Sequence, residues 1–443
     1  MTEKRKNIIW IFGDQHRAQA LSCNGDPNVA TPHLDRMSRE GVNFNRAVSG
    51  FPLCCPFRGS LLTSQYPHNC VPGHEYPLPR GMKTIAHAFS DEGYETAWFG
   101  KWHLAGWKER DGRAAYYIVP EEDRGGFDTW IGYDNNNSQW DCHVHGHRKD
   151  GTSVERYRLP GYETDCLTDM LIDFLKNRSD GDAPFFASLS VQPPHDPYIA
   201  PAEYIRNYNP SQLEMRPNVP HIPRVQQQAR QELAGAYAQI ENLDYNVGRV
   251  REALAETGLE EDTYIVFFSD HGDMHGSQGQ FRKTNPFEES IRIPFLISTG
   301  PTRYNHRSWG RDSVINHVDI APTTLGLVGI DKPEWMVGYD YSGMVFRNRE
   351  STAPPESAFL QNVIPTGHGN SCDRPYRGVV TRDGWKYVAL EGQPWLLFNL
   401  NEDPYEQANL AHNSQYRQQR NRLNDLTREW IESTGDAFEL PEL

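Results

Sequence analysis

Two cysteines stand side by side in SGFPLCCPFRGSLLTSQYPH, residues 49–68, followed by a proline and then, two residues on, an arginine. Neighbouring Cα atoms do not suit disulfide geometry, so Cys54 and Cys55 are packing residues or one of them is chemistry. The pattern predicts a helix from Pro56, with proline in the first turn and Leu61 and Leu62 on one face. Cys54 then stands just before a helix N-terminus, where free N–H groups favour negative charge, and Arg58 reaches back over it. That setting suits a nucleophile toward an anionic ester. A free cysteine is more often a small buried hydrophobe, and this stretch alone favours that plainer reading.

Other reactive side chains follow short apolar runs. Asp14 ends NIIWIFGDQ, and Asp270 and His271 end DTYIVFFSDHGD. Oxygen and nitrogen donors from these three could converge on a divalent cation, which would neutralise charge developing on an ester. In FGKWHLAGW, Lys101 and His103 stand at i and i+2, which points both to one side of an extended chain. Lysine offers a fixed positive charge there, and histidine an acid or base near neutral pH. His195 lies in the proline-bounded VQPPHDPY, and Arg282 and Lys283 in GQFRKTNPFEES. Singly, each reads as a cap or a solvated loop residue. Jointly they fall at the expected ends of strands in one sheet.

Those strands are continuous apolar runs, as expected for a parallel sheet buried on both faces. They alternate with helical stretches such as TPHLDRMSREG (31–41), with Thr31 as its cap, and residues 226–258. This alternation predicts an α/β fold, with ligands beyond the carboxyl ends of the strands. From about residue 346 the pattern changes to antiparallel-type strands, YRGVVTRDGWKYVALEG and PWLLFNLNED, and a closing helix. The expected division is a catalytic part, 1–346, and a C-terminal subdomain, 347–443, joined through RNRESTAPPES (347–357).

The chain has 443 residues and a formal net charge of −15, with 37% hydrophobic, 12% aromatic and 23% charged residues. It reads as globular, and the lack of a long basic run argues against nucleic acid as a partner. The apolar run at the N-terminus is too short for a signal-peptide core, and no stretch is long enough to span a bilayer, so a cytoplasmic location without membrane association is the expectation. Seven scattered cysteines do not form a disulfide framework, and no CxxC pair points to a zinc site.

The stretch CCPFRGSLLT resembles the sulfatase signature C-x-P-x-R-x-x-x-L-T. NIIWIFGDQ, GKWHLAG, PPHDPY, FFSDHGDMHGSQGQFRK and LFNLNEDPYEQANLA resemble further blocks of that family, in its order and over nearly the full length. The resemblance implies an alkaline-phosphatase-like α/β fold, a mostly parallel sheet flanked by helices, with a smaller C-terminal antiparallel sheet and helix. It implies that a separate maturation enzyme oxidises Cys54 to Cα-formylglycine, while Cys55 occupies a variable position. Hydrated formylglycine would attack sulfur, and deprotonation of its second hydroxyl would expel sulfate. By matching position, Arg58 would hold the formylglycine and His103 would be the base. His195 would protonate the leaving alcohol, and Lys101 and Lys283 would bind sulfate oxygens. Asp14, Asp270, His271 and residue 54 would hold the cation, calcium in typical sulfatases.

Two departures widen the expectation. Asp14-Gln15 stands where many sulfatases have Asp-Asp, and Asp270-His271 where they have Asp-Asn. This pattern also resembles the phosphonate monoester hydrolase and phosphodiesterase branch. Gln15 either ligates through its amide oxygen or stands outside the coordination sphere, and the imidazole would suit manganese as well. The leading expectation is a hydrolase of sulfated carbohydrates, working on small imported fragments. Candidate substrate loops are 132–151, with His143, His145 and His147, and 365–378, with His368 and Arg374. A transition-metal tract or an exposed loop is as good a reading of HVHGH.

Overall fold

The run NIIWIFG forms a strand, β1 (Asn7–Gly13), buried at every position. Its side chains alternate between two cores, as the period of a strand requires. Ile8, Trp10 and Phe12 face one hydrophobic cluster and Ile9 and Ile11 the other. The computed structural model describes residues 5–179, 181–299, 313–346, 353–369 and 372–443.

After β1 the chain forms α1 (Pro32–Glu40), β2 (Val42–Asn43), α2 (Cys54–Thr63), α3 (Ile85–Asp91) and β3 (Glu95–Lys101). Next come β4 (Thr129–Tyr133), β5 (His143–His147), β6 (Ser153–Arg158), α4 (Glu163–Lys176), β7 (Phe185–Val191), α5 (Ala202–Ile205) and α6 (Pro223–Glu256). The main sheet closes with β8 (Thr263–Ser269), α7 (Glu288–Ile291) and β9 (Phe295–Ser298), before α8 (Ile320–Leu327) and α9 (Ser342–Val345). Its order is β2-β9-β8-β1-β7-β3-β4-β5-β6. The strands β8, β1, β7, β3 and β4 pair in parallel, and antiparallel strands flank them on both sides. Residues of α2, α3 and α8 cover one face, and residues of α1, α4 and α6 the other. This mostly parallel sheet flanked by helices is the expected architecture.

The second sheet is antiparallel, β10 (Ser357–Asn362), β11 (Tyr376–Thr381), β12 (Trp385–Leu390) and β13 (Gln393–Asn399), followed by α10 (Arg417–Thr434). Val379, Tyr387 and Leu397 face Leu423 and Ile431 of α10. Val388, Leu396 and Phe398, on the opposite face, pack on Met274, Phe287 and Ile291. The second sheet thereby braces the segment that carries Lys283. Tyr376 donates its hydroxyl to the Thr284 carbonyl at 3.1 Å, and the buried Lys386 pairs with Glu288 at 3.1 Å and with Glu406. The expected linker begins with residues 347–352, which lie outside the described residues.

Two local expectations are corrected. The helix α2 begins at Cys54, not Pro56, with Leu53 in its capping position. Thr31 precedes α1 but its hydroxyl does not cap it; the carboxylate of Asp244, from α6, accepts the N–H groups of His33 and Leu34 at 3.2 and 2.7 Å. A tertiary partner has taken over the local cap.

Gly100 sets the position of the next two functional side chains. Its φ is +106°, and an added Cβ would meet the Ser190 carbonyl oxygen at 2.0 Å. Gly100→Ala is expected to destabilise the fold by about 2 kcal/mol or more, from left-handed strain plus the clash. Urea unfolding checks this, and a loss below about 0.5 kcal/mol, the range of neutral surface changes, would refute the close-approach argument.

Candidate active site

Strand ends deliver the first residues. Asp14 follows β1, and Asp270 and His271 follow β8, the neighbouring parallel strand. The N-terminus of α2 brings Cys54 beside them. The Cys54 sulfur lies 3.2 Å from His271 Nε2, 3.5 Å from Asp14 Oδ1 and 3.3 Å from Lys283 Nζ. His271 holds its Nδ1 3.0 Å from the Gly272 carbonyl. A carbonyl only accepts, so Nδ1 carries the proton and the Nε2 lone pair faces the cluster. Asp270 Oδ1 accepts the backbone N–H groups of Gln15 and His271 at 3.0 and 2.9 Å.

Cations surround the two carboxylates. Arg58 Nη2 lies 3.2 Å from both Asp14 Oδ2 and Asp270 Oδ2, and Lys101 Nζ lies 2.7 Å from Asp14 Oδ2. Burial opposes ionisation of Asp14, but Lys101, His195 and Lys283 outweigh it and hold its carboxyl well below the usual range. Asp270 moves the other way, raised by burial and then by the charge on Asp14. Of two adjacent buried carboxylates, Asp14 keeps its charge and Asp270 resists taking one.

The Cys54 thiol is pushed up to about 12, by burial first and then by the charge of Asp14. This reverses the expectation drawn from the helix N-terminus. As an unmodified thiol, Cys54 stays protonated at neutral pH and is a poor nucleophile.

Two histidines face the same place. His195 holds Nδ1 2.6 Å from the Asp196 carbonyl and Nε2 2.9 Å from Lys283 Nζ. Nε2 therefore accepts from the ammonium. Burial and then Lys283 lower this imidazole to about 4. His103 has φ +56°, and its backbone N–H is held by the Asp134 carbonyl at 2.6 Å. Burial, then Lys101, holds it well below the ordinary histidine value.

These residues open into a polar cavity of about 510 Å³, lined by Cys54, His103, His195, Lys283 and His368 together with His74, Glu109, Arg110, Asn135, Asn137, Asp196 and Arg282. The expected residues 14, 54, 58, 101, 103, 195, 270, 271 and 283 are brought together, and His368 joins them from the far side.

Arg374 does not join: it is exposed and does not line the cavity. Nor do His143, His145 and His147. HVHGH is strand β5, and its period of two puts the three rings on one side. His145 Nε2 accepts the Val119 N–H at 2.8 Å, His147 Nε2 lies 3.0 Å from the Phe127 carbonyl, and the His143 ring packs on Tyr116. They fasten the 116–127 loop and form no metal tract among the described residues. From the same predicted loop, Asn135 and Asn137 reach the cavity instead. Their signal was available: an asparagine run directly after a buried strand, as Asp14 follows β1. His74 and Glu109 carried no comparable signal.

The donor set fits a divalent cation. One ligand atom each from Asp14, Cys54, Asp270 and His271 lies within 4.8 Å of the others, all buried. Gln15 gives its amide nitrogen to Asp273 at 2.6 Å, which leaves a buried amide oxygen without a hydrogen-bond partner. Asp270 Oδ2 likewise has no hydrogen-bond donor.

A parallel α/β sheet whose strand ends gather carboxylates, imidazoles and cations around one buried cysteine defines a hydrolase of anionic esters. The sulfatase family profile matches residues 6–330, and the profile for the C-terminal part of N-sulphoglucosamine sulphohydrolase matches residues 276–432. The chain belongs to the sulfatase family. It is 35% identical to the ulvan-active sulfatase of Formosa agariphila over 98% of this chain and 82% of that one. It superposes on the crystal structure of yidJ from Bacteroides fragilis, described as a sulfatase, with a TM-score of 0.85 and 27% identity over 99% of this chain and 98% of that one. The phosphonate monoester hydrolase of Agrobacterium radiobacter shares the fold, with a TM-score of 0.77 and 22% identity over 97% and 96% of the two chains.

Proposed function

We propose that this sulfatase removes sulfate from a sulfated carbohydrate, that a formylglycine-generating enzyme converts its Cys54 to Cα-formylglycine, and that Asp14, Asp270, His271 and residue 54, with the Gln15 amide oxygen, hold Ca2+. The observation that carries this reading is the meeting of Cys54 with His271, Asp14 and Lys283 at the floor of a polar cavity. The ulvan activity of the relative supports the carbohydrate class. The oxygen-rich donor set supports calcium, and its single imidazole also suits manganese.

When present, the hydrated aldehyde supplies a hydroxyl nucleophile and the cation draws charge from the sulfate oxygens. Lys283 and Lys101 add fixed positive charge on either side of Asp14. Arg58 spans Asp14 and Asp270 and fixes both carboxylates. His103 has a buried Nδ1 without a hydrogen-bond partner and is the base of the second half-reaction. His195 protonates the leaving alcohol from Nε2, the atom that now accepts from Lys283.

That role gives a pH signature. A general acid works only while protonated, so rate falls as pH rises through its pKa. An anionic ester beside Lys283 offsets the charge that depresses His195 and so raises that pKa. The descending limb of kcat is expected at higher pH than that of kcat/KM. His195→Asn is expected to slow a sugar sulfate by about 10²–10⁴-fold and an activated aryl sulfate far less. Equal losses on both would refute the acid role. A side-by-side panel of sulfated sugars and phosphonate monoesters tests the whole reading, and phosphonate turnover above every sulfate ester would overturn it.

A further inference from the structure

Cys55 is the next residue of α2, and the helical turn of about 100° sends its side chain away from the cluster at Cys54. It is fully buried and reaches His74 and His103. One ligand atom from each of the three lies within 4.8 Å of the others. The two imidazoles meet edge to face with ring centroids 5.8 Å apart. In both rings Nδ1 is buried without a hydrogen-bond partner, and His103 is only 4% exposed. What sets these two nitrogens apart from other unpartnered buried atoms is that their rings converge with a thiol.

We infer that Cys55, His74 and His103 form a second metal site, separate from the oxygen-rich one, that takes a borderline or soft transition-metal ion such as Zn2+ and blocks hydrolysis when filled.

The donor types select the ion. One sulfur, two imidazole nitrogens and no carboxylate suit Zn2+ and disfavour Ca2+. Donors around a tetrahedral zinc lie roughly 3.3–3.6 Å apart, given its bond lengths to sulfur and nitrogen, so the three groups need only a small closure. His74 and His103 both line the active-site cavity, which leaves the fourth position open to water or an anion there. Coordination expels the Cys55 thiol proton to solvent, and the site tightens as pH rises. The inhibitory part rests on the reading of His103 as the base, because a metal-bound imidazole has no lone pair to accept a proton. Binding itself does not rest on it.

The test uses the full chain in excess Ca2+, with Co2+ as a spectroscopic probe and Zn2+ against a chromophoric chelator. Co2+ is expected to give a thiolate charge-transfer band that persists in Cys54→Ala and disappears in Cys55→Ser. One equivalent of Zn2+ is expected to bind, and to bind at least tenfold more weakly in Cys55→Ser and His74→Gln. Zn2+ inhibition of sulfate-ester turnover is expected to weaken at least tenfold in Cys55→Ala, with conversion of residue 54 checked by peptide mass in each preparation. A Co2+ band or Zn2+ affinity unchanged in the Cys55 variants overturns the site. Weaker binding in those variants with undiminished inhibition overturns the blocking role of His103 alone.

Discussion

Cys54→Ala is expected to reduce turnover by on the order of 10⁴–10⁶-fold, the range lost when a covalent nucleophile is removed. The sulfur at 54 sits within 3.5 Å of Asp14, His271 and Lys283. As a thiol its ionisation is pushed up to about 12, so an unconverted cysteine offers almost no thiolate at neutral pH. Wild-type protein from a host without the maturation enzyme is therefore expected to be nearly as inactive as the alanine variant. Protein from a competent host is expected to be active in proportion to the converted fraction of the peptide containing residue 54. Alanine is a strong helix former and suits the first position of α2, so thermal melting should move little. Activity in protein whose peptide mass shows only cysteine would refute the proposed nucleophile.

The strand-end chemistry was legible because a doubly buried parallel strand reads as an unbroken apolar run, and its first polar residue marks the sheet's ligand edge. Asp14, Lys101 and Asp270 are legible on that logic from the residues alone. The meaning of Cys54 was not legible locally. A helix N-terminus lowers a thiol pKa only where burial and neighbouring carboxylates do not outweigh it, and here they do. The histidines of β5 misled because three of them in five residues suggest a ligand tract, although H-V-H-G-H is also plain strand alternation. His74 enters the cavity through the path of the loop after α2, a tertiary fact with no local pattern. Its pairing with Cys55 and His103 joins three distant segments, which is why the absence of a CxxC motif said nothing about it. Thr31 shows the same limit on a smaller scale, since its predicted capping role passed to Asp244 of another helix.

Arg58→Met is expected to produce the largest stability effect in the site. The guanidinium is fully buried, spans Asp14 and Asp270 at 3.2 Å each, and donates from Nη1 to the Lys101 carbonyl and Ser190 Oγ at 3.0 and 2.9 Å. Its plane lies over the Phe12 ring, so methionine keeps part of the apolar contact and removes the charge. Asp14 retains Lys101, but Asp270 Oδ2 has no hydrogen-bond donor and loses its ion pair. Breaking a buried pair on one side costs about 3–5 kcal/mol, because the remaining charge stays in the interior. Asp270 is already raised by burial and by Asp14, and losing Arg58 raises it further. A carboxyl held above its unfolded value takes up a proton in the folded state, which relieves the penalty as pH falls. The stability lost in Arg58→Met is therefore expected to grow as pH is raised. Removing a positive charge beside the oxygen donors also favours cation binding, and a ligand stabilises the folded state in proportion to the logarithm of its concentration over Kd. Millimolar Ca2+ is thus expected to raise the melting temperature of Arg58→Met more than that of the wild type. Melting curves in chelator and in Ca2+, at two pH values, separate this account from simple loss of packing, which predicts one deficit under all four conditions.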